Sequence, residues 1–67
     1  MIGDKMKIRV KRIRKNKNIT QKQLEKRTGI KQPELSEIEN NRRSPTLNIL
    51  ERVANGLECK VRDLLDE

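Results

Sequence analysis

Residues 20–41, TQKQLEKRTGIKQPELSEIENN, decide how the chain folds. Thr20 is a good helix cap, and Gln23 three positions later completes a capping box. Ile19 and Leu24 stand where a hydrophobic staple joins the residue before the cap to the fourth helical position. The helix QKQLEKRT then stops at Gly29, the residue type best suited to a left-handed turn. Ile30 and Lys31 alone separate this glycine from a second helix. Ile30 and Leu35 repeat the staple spacing, which sets Lys31 at the cap, Pro33 at the second helical position and Glu34 at the third. Leu35 and Ile38 form its buried stripe, and Asn41 can take the left-handed conformation that ends it.

The second helix starts unusually. Lys31 has no acceptor to offer, and Pro33 has no N–H. The first four N–H groups of a helix lack internal partners, so the missing donor removes nothing that was paired. What remains is an electropositive helix start with free donors and a cation beside it, suited to phosphates or base edges. With Leu35 and Ile38 inward, Gln32, Pro33, Ser36, Glu37 and Asn40 face outward. Gln can bond adenine through two hydrogen bonds, Glu can accept from cytosine N4, and an apolar ring can touch a thymine methyl. Pro33 divides evenly between a helix-start device and a reader. A short helix two residues after a glycine, behind a capped helix, is the helix-turn-helix arrangement.

Upstream, KMKIRVKRIRKNK (residues 5–17) holds eight basic side chains. Met6, Val10 and Ile13 fall at helical spacing, while Met6, Ile8 and Val10 alternate as in a short strand. Ile2 and Arg14 on the same stripe favour a helix, ended by Asn16 and Asn18. Downstream, Ser44 at a cap and Pro45 at the first helical position open another helix with Leu47, Leu50, Val53, Ala54 and Leu57 on its apolar face. A last short helix near 61–65 adds Val61, Leu64 and Leu65. The expected fold is all-α: one domain over residues 1–67, a compact bundle of five short helices with its helix-turn-helix at about 20–40.

Composition bounds what such a bundle can do. With 31% hydrophobic residues and no aromatic ring, the core must come from Ile, Leu and Val, and a stability of roughly 3–5 kcal/mol is normal for this size. Residues 1–45 carry fourteen Lys or Arg against five acids, a balance of +9, whereas residues 46–67 carry three against five, a balance of −2. A basic part beside a faintly acidic one suits a polyanion on one surface and something else on another. There is no His, and Cys59 is the single cysteine, so the usual zinc sites, an internal disulfide and a His acid–base pair are excluded. Stacking of single strands on aromatic rings is excluded too. No apolar run nears the roughly 18–20 residues of a membrane span, and a cytoplasmic setting without membrane contact is expected. Cys59 between Leu57 and Val61 reads as a small buried hydrophobe. No metal, cofactor or enzymatic constellation is expected.

The stretch ITQKQLEKRTGIKQPELSEIENNRRSPTLNILERVANGLECKVRDLL resembles the lambda-repressor-like helix-turn-helix family, the phage repressor, Cro and Xre type. With the first helix included, the resemblance covers about residues 6–65; TQ, TGI, QPELSEIE and SPTLNIL are specific in combination. It implies a five-helix DNA-binding domain whose recognition helix, about 32–40, lies in the major groove. By that resemblance Gln32, Pro33 and Glu37 read bases, with Lys31 and Ser36 beside them, and Gln21 binds phosphate. Arg42 and Arg43 lie in the loop approaching the backbone, and Lys31 and Asn40 at the ends of the recognition helix are also expected phosphate contacts. Arg14 and Glu39 match a family pair that ties the first helix to the recognition helix by a buried salt bridge. Three positions depart from the family. Glu25 replaces a usually small residue, suggesting an ionic cluster of Arg14, Glu25 and Glu39. Glu58 stands where glycine is usual, and Lys31 where Ser or Thr is common.

The expected function is sequence-specific binding of double-stranded DNA by a small transcriptional regulator, a repressor by preference. It would act as a homodimer on a palindromic operator, with the C-terminal part around Leu64 and Leu65 as its dimer surface. The alternative is an antitoxin-type interaction module that also binds its own operator and a protein partner. A third reading is a basic nucleic-acid binder without sequence preference, marked by a steep salt dependence alone.

Overall fold

The computed structural model describes residues 7–66. Five helices follow in order: α1 (Val10–Asn16), α2 (Gln21–Thr28), α3 (Gln32–Glu39), α4 (Leu47–Leu57) and α5 (Val61–Leu64). Two-residue strands bracket them, β1 (Lys7–Ile8) and β2 (Leu65–Asp66), paired antiparallel with Lys7 opposite Asp66 and Ile8 opposite Leu65. The first helix is therefore shorter than its apolar spacing predicts. The Arg9 N–H donates to the Leu64 carbonyl at 2.8 Å, so the backbone before Val10 is spent on the other end of the chain rather than on a helical turn. The alternating pattern describes residues 7 and 8, and the helical pattern applies from Val10. Ile2 and Met6 lie outside the described residues.

Four left-handed residues end the first four helices: Asn18 (φ 59°), Gly29 (φ 78°), Asn41 (φ 58°) and Glu58 (φ 57°). Three of them centre Schellman motifs. At Asn41, the Arg42 N–H reaches the Glu37 carbonyl (2.8 Å) and the Asn41 N–H reaches that of Ile38 (3.1 Å). The same pair of bonds recurs as Ile19 to Arg14 (3.1 Å) with Asn18 to Lys15 (3.0 Å), and as Cys59 to Ala54 (2.9 Å) with Glu58 to Asn55 (3.1 Å). Gly29 uses a single bond, its N–H to the Glu25 carbonyl at 2.7 Å. Glycine and asparagine take this conformation readily, but a glutamate there costs roughly 1–2 kcal/mol. Helix α4 thus ends with a conformation that favours glycine imposed on Glu58.

Helix α4 begins two residues later than SPTL suggests. Thr46, not Ser44, is the cap; its Oγ1 accepts the Ile49 N–H at 3.2 Å, and Pro45 precedes the helix instead of opening it. Both Ser44 and Thr46 have a capping hydroxyl, and the one three residues before a free N–H inside the apolar helix prevails. The shift puts Leu47 at the first helical position, where it is 63% exposed and leaves the apolar face to its neighbours.

The core joins every helix: Val10, Leu24, Leu35, Ile38, Val53, Ala54, Leu57 and Leu64, with Ile19 and Ile30 from the turns. Each fully buried leucine contributes about 1.5–3 kcal/mol relative to exposure. Leu64 is completely buried, so it belongs to the core and not to a dimer surface, while Leu65 is half-buried in β2. Helices α2 and α4 pack tightly at Gly56. A Cβ there would lie 2.7 Å from Thr28 Cγ2 and 3.1 Å from Leu24 Cδ1. Thr28 cannot swing aside freely, because its hydroxyl donates to the Leu24 carbonyl (2.8 Å) and accepts the Ile30 N–H (3.1 Å). The same hydroxyl stitches the turn between α2 and α3.

Candidate nucleic-acid interface

Helix α3 is fixed from below before its outer face comes into play. Glu39 is buried, and its carboxylate accepts Arg14 Nε at 2.7 Å through one oxygen and Arg14 Nη2 at 3.0 Å through the other. Arg14 Nη1 donates to the Ile19 carbonyl at 2.8 Å. A third side chain completes the cluster: Gln21 Nε2 donates to Glu39 Oε1 at 2.9 Å. Paired charges with their remaining hydrogen-bonding atoms satisfied are the form in which ions are tolerated inside a protein. Glu25 takes no part. It is half-buried and makes no ion pair or side-chain hydrogen bond among the described residues, and the place assigned to it belongs to Gln21. The neutral amide adds a donor without adding a second negative charge to the site.

From this buried cluster a chain of hydrogen bonds leads outward. Gln32 Nε2 donates to Gln21 Oε1 at 3.3 Å, so the first residue of α3 is held by the first residue of α2. A shallow concavity lies there, lined by Arg14, Lys15, Asn18, Thr20, Gln21 and Gln32, among others. Thr20 caps α2 with a complete box: its Oγ1 accepts the Gln23 N–H (3.0 Å), and Gln23 Oε1 accepts its N–H (2.9 Å). The N–H groups of Gln21 and Lys22 precede the first intrahelical bond and have no acceptor within the helix; Gln21 lines the concavity. Lys15 and Asn18 also line this concavity. The left-handed turn at Asn18 brings them there, since it redirects the chain from the end of α1 to the start of α2.

The outer face of α3 carries the remaining expected residues. Lys31 caps the helix without a side-chain hydrogen bond, with Gln32 and Pro33 at the first two helical positions; all three are exposed. Ser36 is half-buried and its Oγ accepts from Asn40 Nδ2 at 3.4 Å, so these two side chains address each other. Glu37 is exposed and is engaged by Arg43, whose Nε and Nη2 both reach Glu37 Oε1, at 2.9 and 2.7 Å. The hydrogen bond and charge of Glu37 raise the pKa of the Arg43 guanidinium above its ordinary value. Arg42 is exposed beside it. The structure thus brings Gln21, Gln32 and the Arg14–Glu39 pair into one network, and Glu37 and Arg43 into a second.

Elsewhere the chemistry is quiet. Burial pushes the Cys59 thiol up, Asp63 adds to that and Lys17 opposes it, a setting that disfavours the reactive thiolate. No group of His, Cys, Asp and Glu that could hold a metal occurs among the described residues. No helix among them is long and apolar enough to cross a membrane.

Comparison with known proteins places this geometry. The helix-turn-helix family model matches residues 10–64. The immunity repressor protein of Bacillus phage phi105 is 37% identical over 59 residues, covering 88% of this chain and 41% of the repressor. The chain therefore spans about two fifths of the length of that curated relative. Among solved structures, the N-terminal DNA binding domain of SinR from Bacillus subtilis is 37% identical with a TM-score of 0.78, covering 88% of this chain and 87% of that one. The clp gene regulator ClgR from C. glutamicum is 26% identical with a TM-score of 0.77, covering 81% and 70%. With a capped helix, a glycine turn and an outward-facing second helix in place, the chain belongs to the helix-turn-helix family, of the lambda-repressor-like type that its sequence resembles.

Proposed function

We propose that the chain is a sequence-specific double-stranded-DNA-binding transcriptional regulator, acting as a repressor and as a homodimer in the cytoplasm. The observation that carries this reading is the division of α3 into two faces. Leu35, Ile38 and Glu39 are buried, while Lys31, Gln32, Pro33 and Glu37 stand exposed. A helix so held offers amide and carboxylate groups to base edges in the major groove, flanked by the cations Lys31, Arg42 and Arg43. The printed descriptions of the relatives, a phage repressor, a DNA-binding domain and a gene regulator, support the same direction. None of them favours the antitoxin-type alternative.

One recognition helix reads few base pairs, so two copies related by a two-fold axis would double the contacts, on half-sites about 34–36 Å apart. In the same reading Gln21, Lys31, Asn40 and Arg42 meet phosphate, and Gln32, Pro33, Ser36 and Glu37 read bases. Selection from a random duplex library, at physiological salt with competing non-specific DNA, tests it. A palindromic consensus with that spacing is expected. The joint Gln32→Ala and Glu37→Ala variant is expected to lose the consensus while retaining salt-dependent binding to any duplex. Selection that returns no consensus would leave only a general basic binder.

A further inference from the structure

The contact between Arg43 and Glu37 gives Arg43 a different task from the phosphate contact assigned to it above. Glu34 and Glu37 put two carboxylates on the side of α3 that the proposed function turns toward a polyanion. Arg43 spans both: Nε and Nη2 grip Glu37 Oε1 at 2.9 and 2.7 Å, and Nη1 lies 4.0 Å from Glu34 Oε2. The grip falls on a single oxygen. Glu37 Oε2 has no hydrogen-bond partner among the described residues, so one acceptor atom stays free while the other fixes the side chain.

The backbone builds this arrangement. Asn41 in the left-handed conformation turns the chain back over α3, and the Arg42 N–H closes on the Glu37 carbonyl at 2.8 Å. Residue 37 is thus bonded twice by the turn that follows its own helix, once through its main chain by Arg42 and once through its carboxylate by Arg43. An exposed ion pair of this kind stabilises a fold little. Its effect falls on the orientation and charge of the group it holds.

We propose that Arg43 is a positioning residue for specificity: it neutralises and orients Glu37 so that the free Oε2 accepts a hydrogen bond from a base-edge amino group, cytosine N4 being the major-groove donor that suits a carboxylate. This rests on the reading of Glu37 as a base contact. A guanidinium committed to Glu37 is not available as an independent phosphate clamp, and the two tasks leave different signatures in binding.

The test is equilibrium binding of the wild type, Glu37→Gln, Arg43→Ala, Arg43→Lys and the double variant to a selected duplex and to its full set of single-base-pair substitutions. Far-ultraviolet circular dichroism confirms that each variant is folded. The readout is the preference ratio at each base pair, not the affinity. Glu37→Gln is expected to reduce the ratio at one base pair by about tenfold, within the range that one good base contact provides. Arg43→Ala is expected to reduce the ratio at that same base pair by at least fivefold, and the double variant by no more than Glu37→Gln alone. Arg43→Lys, which keeps the charge and loses the fork, is expected to follow Arg43→Ala.

If Arg43→Ala weakens all duplexes equally and leaves every ratio within twofold of the wild type, Arg43 is a phosphate contact and the proposal is overturned. A sharper preference in Arg43→Ala would make the pair a latch that withdraws Glu37, which also overturns it, as would full rescue by lysine. If Glu37→Gln alters no ratio while Gln32→Ala does, base reading by α3 survives and Glu37 is not a reader, which sinks this proposal alone. Failure of wild-type selection itself would sink the proposed function.

Discussion

Helix α3 carries two Arg–Glu pairs whose carboxylates are two residues apart, and they show what burial does to one kind of chemistry. Glu39 faces the core, where Arg14 meets both of its oxygens and Gln21 adds a third bond. Glu37 faces solvent, where Arg43 meets one oxygen and leaves the other. Inside, water cannot replace a lost partner, so the pair behaves as structure. Outside, water replaces it readily, and the pair governs where a carboxylate sits without holding the fold together. The underside of α3 is a fixture and its outer side is a surface for use.

Four substitutions would break or sharpen that contrast. The largest effect is expected for Glu39→Ala, which leaves the Arg14 guanidinium buried without its counter-charge. Breaking such a pair costs about 3–5 kcal/mol, comparable with the whole stability of a domain this size. Urea titration followed by circular dichroism should find most of the population unfolded without denaturant. Next is Gly56→Ala on the far side of α2, where the new Cβ meets the fixed Thr28 methyl at 2.7 Å. A loss of about 1–3 kcal/mol is expected, typical of overpacking, and an unchanged midpoint would mean that α2 and α4 slide apart easily. Glu58→Gly should raise stability by about 0.5–1 kcal/mol, since it relieves the left-handed glutamate. The smallest effect is expected for Glu37→Ala, within about 0.5 kcal/mol as for other exposed pairs. A loss as large as that of Glu39→Ala would erase the distinction between the two faces.

Much of this was legible in local signals. Thr20 with Gln23, Gly29 and Asn41 each act through neighbours within a few residues, so α2, the turn and α3 could be placed closely from the sequence. The start of α4 was misplaced because Ser44 and Thr46 are equivalent in type, and only packing selects between them. The short strand pair was half visible: alternation at Met6, Ile8 and Val10 suggested extended chain, but its partner lies at Leu65 and Asp66, at the other end of the sequence. The close approach at Gly56 is not legible at all, because nothing near it in sequence announces that Thr28 lies against it.

The candidate site divides in the same way. The outward face of α3 follows from Leu35 and Ile38 by helical spacing alone. The companions of its side chains do not. That Gln21, not Glu25, joins Arg14 and Glu39 depends on how α1 and α2 meet, and the reach of Arg43 back to Glu37 depends on the turn at Asn41. Spacing shows which way a side chain leaves its helix; what it finds there belongs to tertiary structure.

The seam between Lys7–Ile8 and Leu65–Asp66 has a consequence for how the molecule is made. The first described element of the chain has its backbone partners in the last, and the Arg9 N–H waits for the Leu64 carbonyl. A chain emerging from the ribosome can form α2, α3 and the turn between them early, while its amino-terminal strand stays unmatched. Assembly closes like a clasp, once Leu65 and Asp66 have emerged.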